Sequence, residues 1–407
     1  MSSTSIILRA RAAVTMSGPP IENAAVAISG GTITAAGKWN DLRGITSDDV
    51  IDLGERVLLP GFINAHCHLD YTCLRGSIPP PQSFTAWIRA INERKAALQP
   101  EDYVRSIRGG FTEAARFGTT TVCNLEAFPE LIVEVPPPIR TWWFAEMLDV
   151  RQAVDPAEVY AQIAASDSRS GGGIGLAPHA PFTASAGLYR ASAAVGDRHR
   201  LPLTTHVAES AEEMQMFRDG EGALFDFLRS IGRDMNDCGK GSPLKALLQT
   251  GVLDERWIVA HLNELSHDDL RLLVTAPRFH IAHCPRSHAY FSHAPFALTE
   301  LGGLGFNICI GTDSLASNTD LSLFAEMRQL SRNHPSLNPH QLLEMVTINP
   351  ARALGQQHLL GRIAPGFAAD LIAIPATATG KALLDEALAF EREVPWMMVA
   401  GEPVLSV

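Results

Sequence analysis

The residues able to do chemistry recur at one kind of place in this chain, the end of an apolar, strand-like run. The first run ends on His66-Cys67-His68, and later ones end on Asn124 or Glu126, Glu146, His179, His206 with Glu209, His261, His283 and Asp313. Side chains two apart on a strand point the same way, so His66 and His68, placed just beyond Phe62-Ile63, can face one point. A divalent ion takes neutral nitrogen or anionic oxygen donors at ~2.0–2.2 Å, and a catalytic site keeps one position for water. HxH alone is a short pattern, and each imidazole could equally satisfy a local hydrogen bond. With His206 and Asp313 as third and fourth ligands from other strand ends, the metal reading outweighs chance.

Glu209 follows His206 by three residues, close enough to exchange protons with a substrate and a bound water. The competing account is a helix-terminal glutamate favoured by the macrodipole, because SAEEMQMF follows directly. His261 closes the run Trp257-Ile258-Val259-Ala260 and is read as a partner of the water or the substrate, against a satisfied core histidine. His179 stands between Pro178 and Ala180-Pro181 and is assigned to the substrate. Glu146 and His283 are further candidate substrate contacts, His283 fitting a buried structural role as well. Histidines 199, 267, 280, 288, 293, 334, 340 and 358 fall mostly in polar stretches and are expected at the surface, with His288 and His293 near a pocket mouth.

Such residues act together only if the strand ends converge. Strand-like runs lie at 57–63, 119–124, 139–145, 173–177, 202–207, 256–261, 278–283 and 305–312, with amphipathic stretches at 101–117, 156–168, 185–197, 222–231, 266–275 and 318–332. Alternation of this kind implies parallel βαβ units. Eight such units with no glycine fingerprint after a strand favour a closed (β/α)8 TIM barrel, whose chemistry gathers at the C-terminal ends of its strands. Gly171-Gly172-Gly173-Ile174-Gly175 precedes a strand and is read as a loop. Short alternating segments at both termini predict a small β-sandwich domain from residues 1–56 plus 361–407, beside a catalytic barrel at 57–360.

With 407 residues, 46% hydrophobic and 19% charged, the chain can bury a large core. A formal charge of −11 makes nucleic acid and anionic membrane poor partners, leaving a small molecule. No run approaches the about 18 apolar residues of a membrane span. No signal peptide is evident, and six scattered cysteines without CxxC spacing suggest a reducing cytoplasm.

Read together, these residues resemble the amidohydrolase superfamily. The resemblance runs from Leu59-Pro60-Gly61-Phe62-Ile63-Asn64-Ala65-His66-Cys67-His68 through His206-Val207-Ala208-Glu209 and Gly311-Thr312-Asp313-Ser314. It ends in Asn349-Pro350-Ala351-Arg352-Ala353-Leu354-Gly355 and Gly366-Phe367-Ala368-Ala369-Asp370-Leu371. Where binuclear members carry a bridging lysine this chain has His179, which implies the mononuclear deaminase branch. Leu74-Arg75-Gly76 and Ser314-Leu315-Ala316-Ser317-Asn318 resemble the subgroup acting on S-adenosylhomocysteine, methylthioadenosine and aminofutalosine. In nucleoside-acting relatives a ribose-binding glutamate precedes the tryptophan of the first crossover helix; here Ala86 precedes Trp87. His288 stands where an asparagine is usual.

The resemblance implies one divalent ion per chain, zinc preferred with iron or manganese possible, held by His66, His68, His206 and Asp313. It implies hydrolytic deamination of an adenine-nucleoside-like heterocycle, with Glu209, His261 and Asp313 catalytic and Arg75, Trp87, Glu146, His179, His283 and Asn318 against the substrate. The alternative keeps the site and changes the bond, to hydrolysis of a cyclic amide or dechlorination of a triazine-like ring. A homo-oligomer is possible, as related barrels often associate.

Overall fold

The computed structural model describes residues 5–44, 49–80, 83–166 and 171–406. Positions 167–168 of the expected 156–168 helix, and 1–4, 45–48 and 407 of the expected terminal domain, lie outside the described residues. The fold is mixed α/β and is built on two sheets.

The large sheet is parallel throughout and curled. Its strands are Phe62–His68, Thr119–Glu126, Arg140–Met147, Gly173–Pro178, Leu203–Val207, Trp257–His261, His280–His283, Asn307–Ile310 and the short Asp313–Ser314. From Phe62–His68 to Asn307–Ile310 each pairs with its neighbour in chain order, and Asp313–Ser314 pairs with Cys67 and His68 of the first. Between the last two, Gly311 N donates to His283 O (2.9 Å) and Thr312 N to His66 O (3.0 Å). A Cβ at Gly311 would stand 2.7 Å from His66 O, so only glycine lets the backbones approach this closely. Most of these strands are buried along their whole length, as expected where helices cover a parallel sheet.

Helices follow the strands, and their sequences explain their ends. Pro100–Arg116 begins with proline in its first turn and a capping box between Gln99 and Asp102, and it buries Val104, Ile107, Phe111, Ala114 and Ala115 on one face. Ala186–His199 and Ala211–Asp219 are each capped by a serine side chain, Ser185 and Ser210. The expected 318–332 helix is observed as Leu323–Asn333, because Asn318 spends its side chain on Thr312 O (2.8 Å) and Glu326 Oε1 (2.7 Å) and Ser322 caps the helix instead.

Both chain ends build the second, eight-stranded sheet. Ser5–Ala13 pairs with Ile21–Ser29, Asp49–Asp52 and Arg56–Pro60, and Arg56–Pro60 pairs antiparallel with Leu371–Pro375. The expected strand 57–63 is therefore two strands, its first half in the terminal sheet and its second starting the large sheet after Gly61. The residue 57 boundary falls inside Arg56–Pro60 accordingly. The sheets are tied by Arg140, whose Nε and Nη2 donate to Asp370 (2.9 and 3.2 Å) while Asp370 Oδ1 also accepts Ala400 N (2.7 Å). The expected strand 173–177 is observed as Gly173–Pro178, so the loop reading of the glycine cluster does not hold for Gly173 and Gly175; side chains there would collide with Trp142 and Phe144 of the neighbouring strand.

Candidate active site

His66 and His68 lie within the first large-sheet strand, which continues to residue 68, and Cys67 between them points into the core. The fifth strand brings His206 and the residue after Thr312 is Asp313. His68 Nε2 and His206 Nε2 are 3.2 Å apart, and Asp313 Oδ1 is 4.0 Å from both His66 Nε2 and His68 Nε2. Ligands around a tetrahedral ion at ~2.05 Å are about 3.4 Å from one another, so these spacings suit a common ion with small adjustments. His66 is fully buried and neither ring nitrogen has a hydrogen-bond partner. An imidazole orphaned in this way is costly unless something else engages it. The donor set fits a divalent cation.

Electrostatics agree with that use. Burial, with the charge of His206 second, lowers the His66 pKa to about 3, and burial lowers that of His206 to about 4, so both rings are neutral, the form a cation requires. His206 Nδ1 is held by His179 O at 2.8 Å, which aims Nε2 at the centre. Burial alone would raise the Asp313 pKa, but His261, His66 and the Ser287 hydroxyl outweigh it and hold the carboxyl below its ordinary value. Ser287 Oγ donates to Asp313 Oδ2 (2.7 Å) and Ser314 N to Oδ1 (2.7 Å).

Glu209 is buried beside this cluster, with Oε1 3.8 Å from His261 Nε2. Glu209, His261 and Asp313 each place an atom within 4.8 Å of the other two. Burial first, then Asp313 and Glu213, push the Glu209 pKa well above its usual range. Glu209 precedes the cap Ser210 and lies outside the helix, so the macrodipole account applies to Glu212 and Glu213 instead. Glu213 accepts Ala208 N (3.2 Å) and Glu209 N (2.7 Å), and Asn263 Nδ2 donates to Glu209 O (3.1 Å). His288 is buried behind Asn263, bonded to it at 3.0 Å, and is not at the surface.

The backbone is strained at this place. Ala208, His261, Leu262 and Asp313 all have positive φ, between 50° and 74°. Each such non-glycine residue costs of order 1–3 kcal/mol, and their gathering at one end of one sheet marks a functional site.

A cavity of about 590 Å³ opens above the cluster, a size typical of small-molecule sites. His68, His179, His206, Glu209 and Asp313 line its floor, and Glu146 and Trp87 its walls. The helix Phe84–Lys95 turns Phe84, Trp87, Ile88, Ile91, Asn92 and Lys95 towards it, at helical spacing. Ala86 is exposed on another face. Glu212 fixes this helix by accepting Phe84 N (2.8 Å) and Thr85 N (3.0 Å).

Three expected substrate contacts lie elsewhere. Arg75 is exposed and pairs with Glu113 outside the cavity, because the 3-10 turn Leu69–Leu74 carries it away. Asn318 is committed to Thr312 and Glu326. His283 is buried with its ring stacked on Phe296 at 3.9 Å. His280, expected at the surface, is buried between Glu255 O and Asn307. Asn124 and Glu126 support the loop after His68, Asn124 Oδ1 accepting Leu69 N at 2.8 Å. Ser287, Asn263, Glu212 and Glu213 were not singled out from the sequence; the spacing of four from Glu209 to Glu213 is the one local signal among them.

Residues 57–404 match the amidohydrolase family. The 5-methylthioadenosine/S-adenosylhomocysteine deaminase of Pyrococcus furiosus is 29% identical over 367 residues, covering 86% of this chain and 81% of its own. Among solved structures, Helicobacter pylori aminofutalosine deaminase in complex with methylthio-coformycin superposes with a TM-score of 0.87 at 21% identity, covering 98% of this chain and all of its own. An adenosine deaminase from Xanthomonas campestris with bound zinc gives 0.83 at 24% identity, covering 99% of this chain and 93% of its own.

Proposed function

The chain belongs to the amidohydrolase family, and we propose that it is a metal-dependent aminohydrolase which releases ammonia from an amino-heterocycle, with an adenine-nucleoside-like compound as the first candidate. The observation that carries this is the orphaned, fully buried His66 within reach of His68, His206 and Asp313, with Glu209 lining the cavity and His261 beside Glu209. The names of its relatives support the deaminase branch. We read the large sheet as a closed (β/α)8 barrel, because the 307–314 run pairs on one side with His280–His283 and at its end with Cys67 and His68. The terminal sheet is read as a separate small domain.

His66, His68, His206 and Asp313 would hold one divalent cation, zinc in our reading, and such an ion supplies Lewis acidity that lowers the pKa of water from about 15.7 towards ~7. Asp313, kept ionised by its neighbours, accepts a proton from the attacking water. Glu209, kept protonated by burial, donates to the ring nitrogen next to the amino-bearing carbon and relays a proton to the departing amine. His261 presents Nε2 to the oxygen as charge builds there. The amine leaves as ammonia and the ring gains the water oxygen as a carbonyl. A wall of Phe84, Trp87, Ile88, Ile91 and Phe182 excludes bulk water and offers the ring apolar faces. Six free cysteines, four of them buried, support a cytoplasmic enzyme.

The test is Glu209→Gln in the zinc-loaded protein. Zinc content should stay at the wild-type level while ammonia release falls by several orders of magnitude. Turnover near wild type would remove the proton-transfer role.

A further inference from the structure

Glu146 has no part in that chemistry, yet it faces the same cavity. It closes the strand Arg140–Met147, its side chain is 6% exposed, and Oε1 has no hydrogen-bond partner. The ligating atoms of His68, His206 and Glu146 lie within 4.8 Å of one another. If His68 and His206 hold a cation at ~2.1 Å, the Glu146 carboxyl stands at most about 7 Å from it. A reacting ring carbon sits about 3–3.5 Å from its nucleophile. The carboxyl is therefore within reach of the ring edge beside that carbon and of a small substituent on it.

Across a 4.0 Å gap from Glu146 Oε1 stands His179 Nε2. His179 Nδ1 is held by the Thr183 hydroxyl at 2.5 Å, which turns Nε2 towards the cavity and the Glu146 carboxyl. A carboxylate oxygen only accepts, so a donor that enters between them satisfies Glu146 Oε1. The ammonium of Lys95 lines the cavity too, but it donates to the Tyr71 hydroxyl (2.5 Å) and lies over that ring.

We propose that Glu146, with His179 opposite, reads a second hydrogen-bond donor on the edge of the substrate's ring. The preferred substrate is then a diamino or lactam-type amino-heterocycle, with an amino group or ring N–H beside the reacting amidine. Adenine itself offers only acceptors along its remaining ring edge. The inference rests on the deaminase reading above and narrows its substrate class.

The experiment measures calorimetric binding of 2,6-diaminopurine riboside, adenosine and 2′,3′-dideoxyadenosine to the zinc-loaded Glu209→Gln protein, with and without Glu146→Gln. Glu146→Ala serves as a second variant, and melting temperature and zinc content report on folding. The diamino compound should bind about 10- to 100-fold tighter than adenosine, the range of a hydrogen bond to a charged group; Glu146→Ala should erase that preference and Glu146→Gln, which keeps one acceptor oxygen, should reduce it. Equal binding, no binding, or a preference that survives in Glu146→Ala overturns the proposal. A preference lost in the variants that follows the sugar hydroxyls would move Glu146 to the ribose and also overturn it. Ammonia release by the unsubstituted enzyme is scored separately: silence there, with the binding preference intact, refutes deamination and not the role of Glu146.

Discussion

Glu213 should be indispensable although it touches neither metal nor substrate. Its two carboxylate oxygens accept the backbone N–H groups of Ala208 and Glu209, at 3.2 and 2.7 Å, and Ala208 holds φ at 51°. Glu213→Ala leaves both buried donors unsatisfied, at about 1–3 kcal/mol each, so the expected loss is ~2–6 kcal/mol from a total of about 5–15. Glu213→Gln keeps one carbonyl oxygen and should lose roughly half as much at acid pH. Because the same bonds place Glu209, a shift of ~1 Å there should cost about 100-fold in kcat. Urea unfolding of the zinc-saturated proteins and steady-state ammonia release measure the two effects. The pH dependence adds a sign. Burial raises the Glu213 pKa from 4.5 to about 8, so its contribution to stability is complete below pH 4.5 and is lost as pH rises through 8. Glutamine cannot ionise, so the stability of Glu213→Gln relative to wild type should improve steadily from pH 5 to about 8.5. Glu213→Ala within ~0.5 kcal/mol of wild type, with unchanged kcat, would refute the reasoning.

Other consequences are simpler. Ser287→Ala removes the 2.7 Å bond to Asp313 Oδ2 but leaves Ser314 N on Oδ1; zinc affinity in chelator competition should fall about 10- to 100-fold. Arg140→Ala strands Asp370 between the sheets, and chemical denaturation should show a loss of about 3–5 kcal/mol with little change in KM. Arg75→Ala should leave kcat/KM within a few-fold, since its guanidinium pairs with Glu113 outside the cavity; a hundredfold loss would return Arg75 to the substrate.

The parts of this fold legible in the sequence are those where local pattern and global position coincide. Apolar runs of strand length, most of them followed by an amphipathic stretch, marked the parallel sheet, and their last residues converge because parallel strands share one C-terminal edge. His66, His68, His206 and Asp313 meet for that reason alone. Arg75 and Asn318 do not reach the cavity because their directions are set by a 3-10 turn and by a buried bond to Glu326, neither visible as periodicity. His280 looks polar in sequence, yet partners from residues 255 and 307 satisfy it within the sheet. The break at Gly61 was hidden because strands of both sheets adjoin in one apolar run, and only long-range pairing with Leu371–Pro375 separates them. Glu212 and Glu213 read as ordinary first-turn carboxylates, while their actual partners lie on a distant helix and on the preceding loop.

The most direct test of the central claim is ammonia release by the zinc-loaded protein from adenine nucleosides, diaminopurine riboside, guanine and cytosine, with Asp313→Ala as the blank. The account predicts turnover of at least one compound, lost in the variant together with bound zinc. Silence across all of them, with one zinc held per chain, would contradict deamination and point to ring-amide or dechlorinating hydrolysis by the same residues.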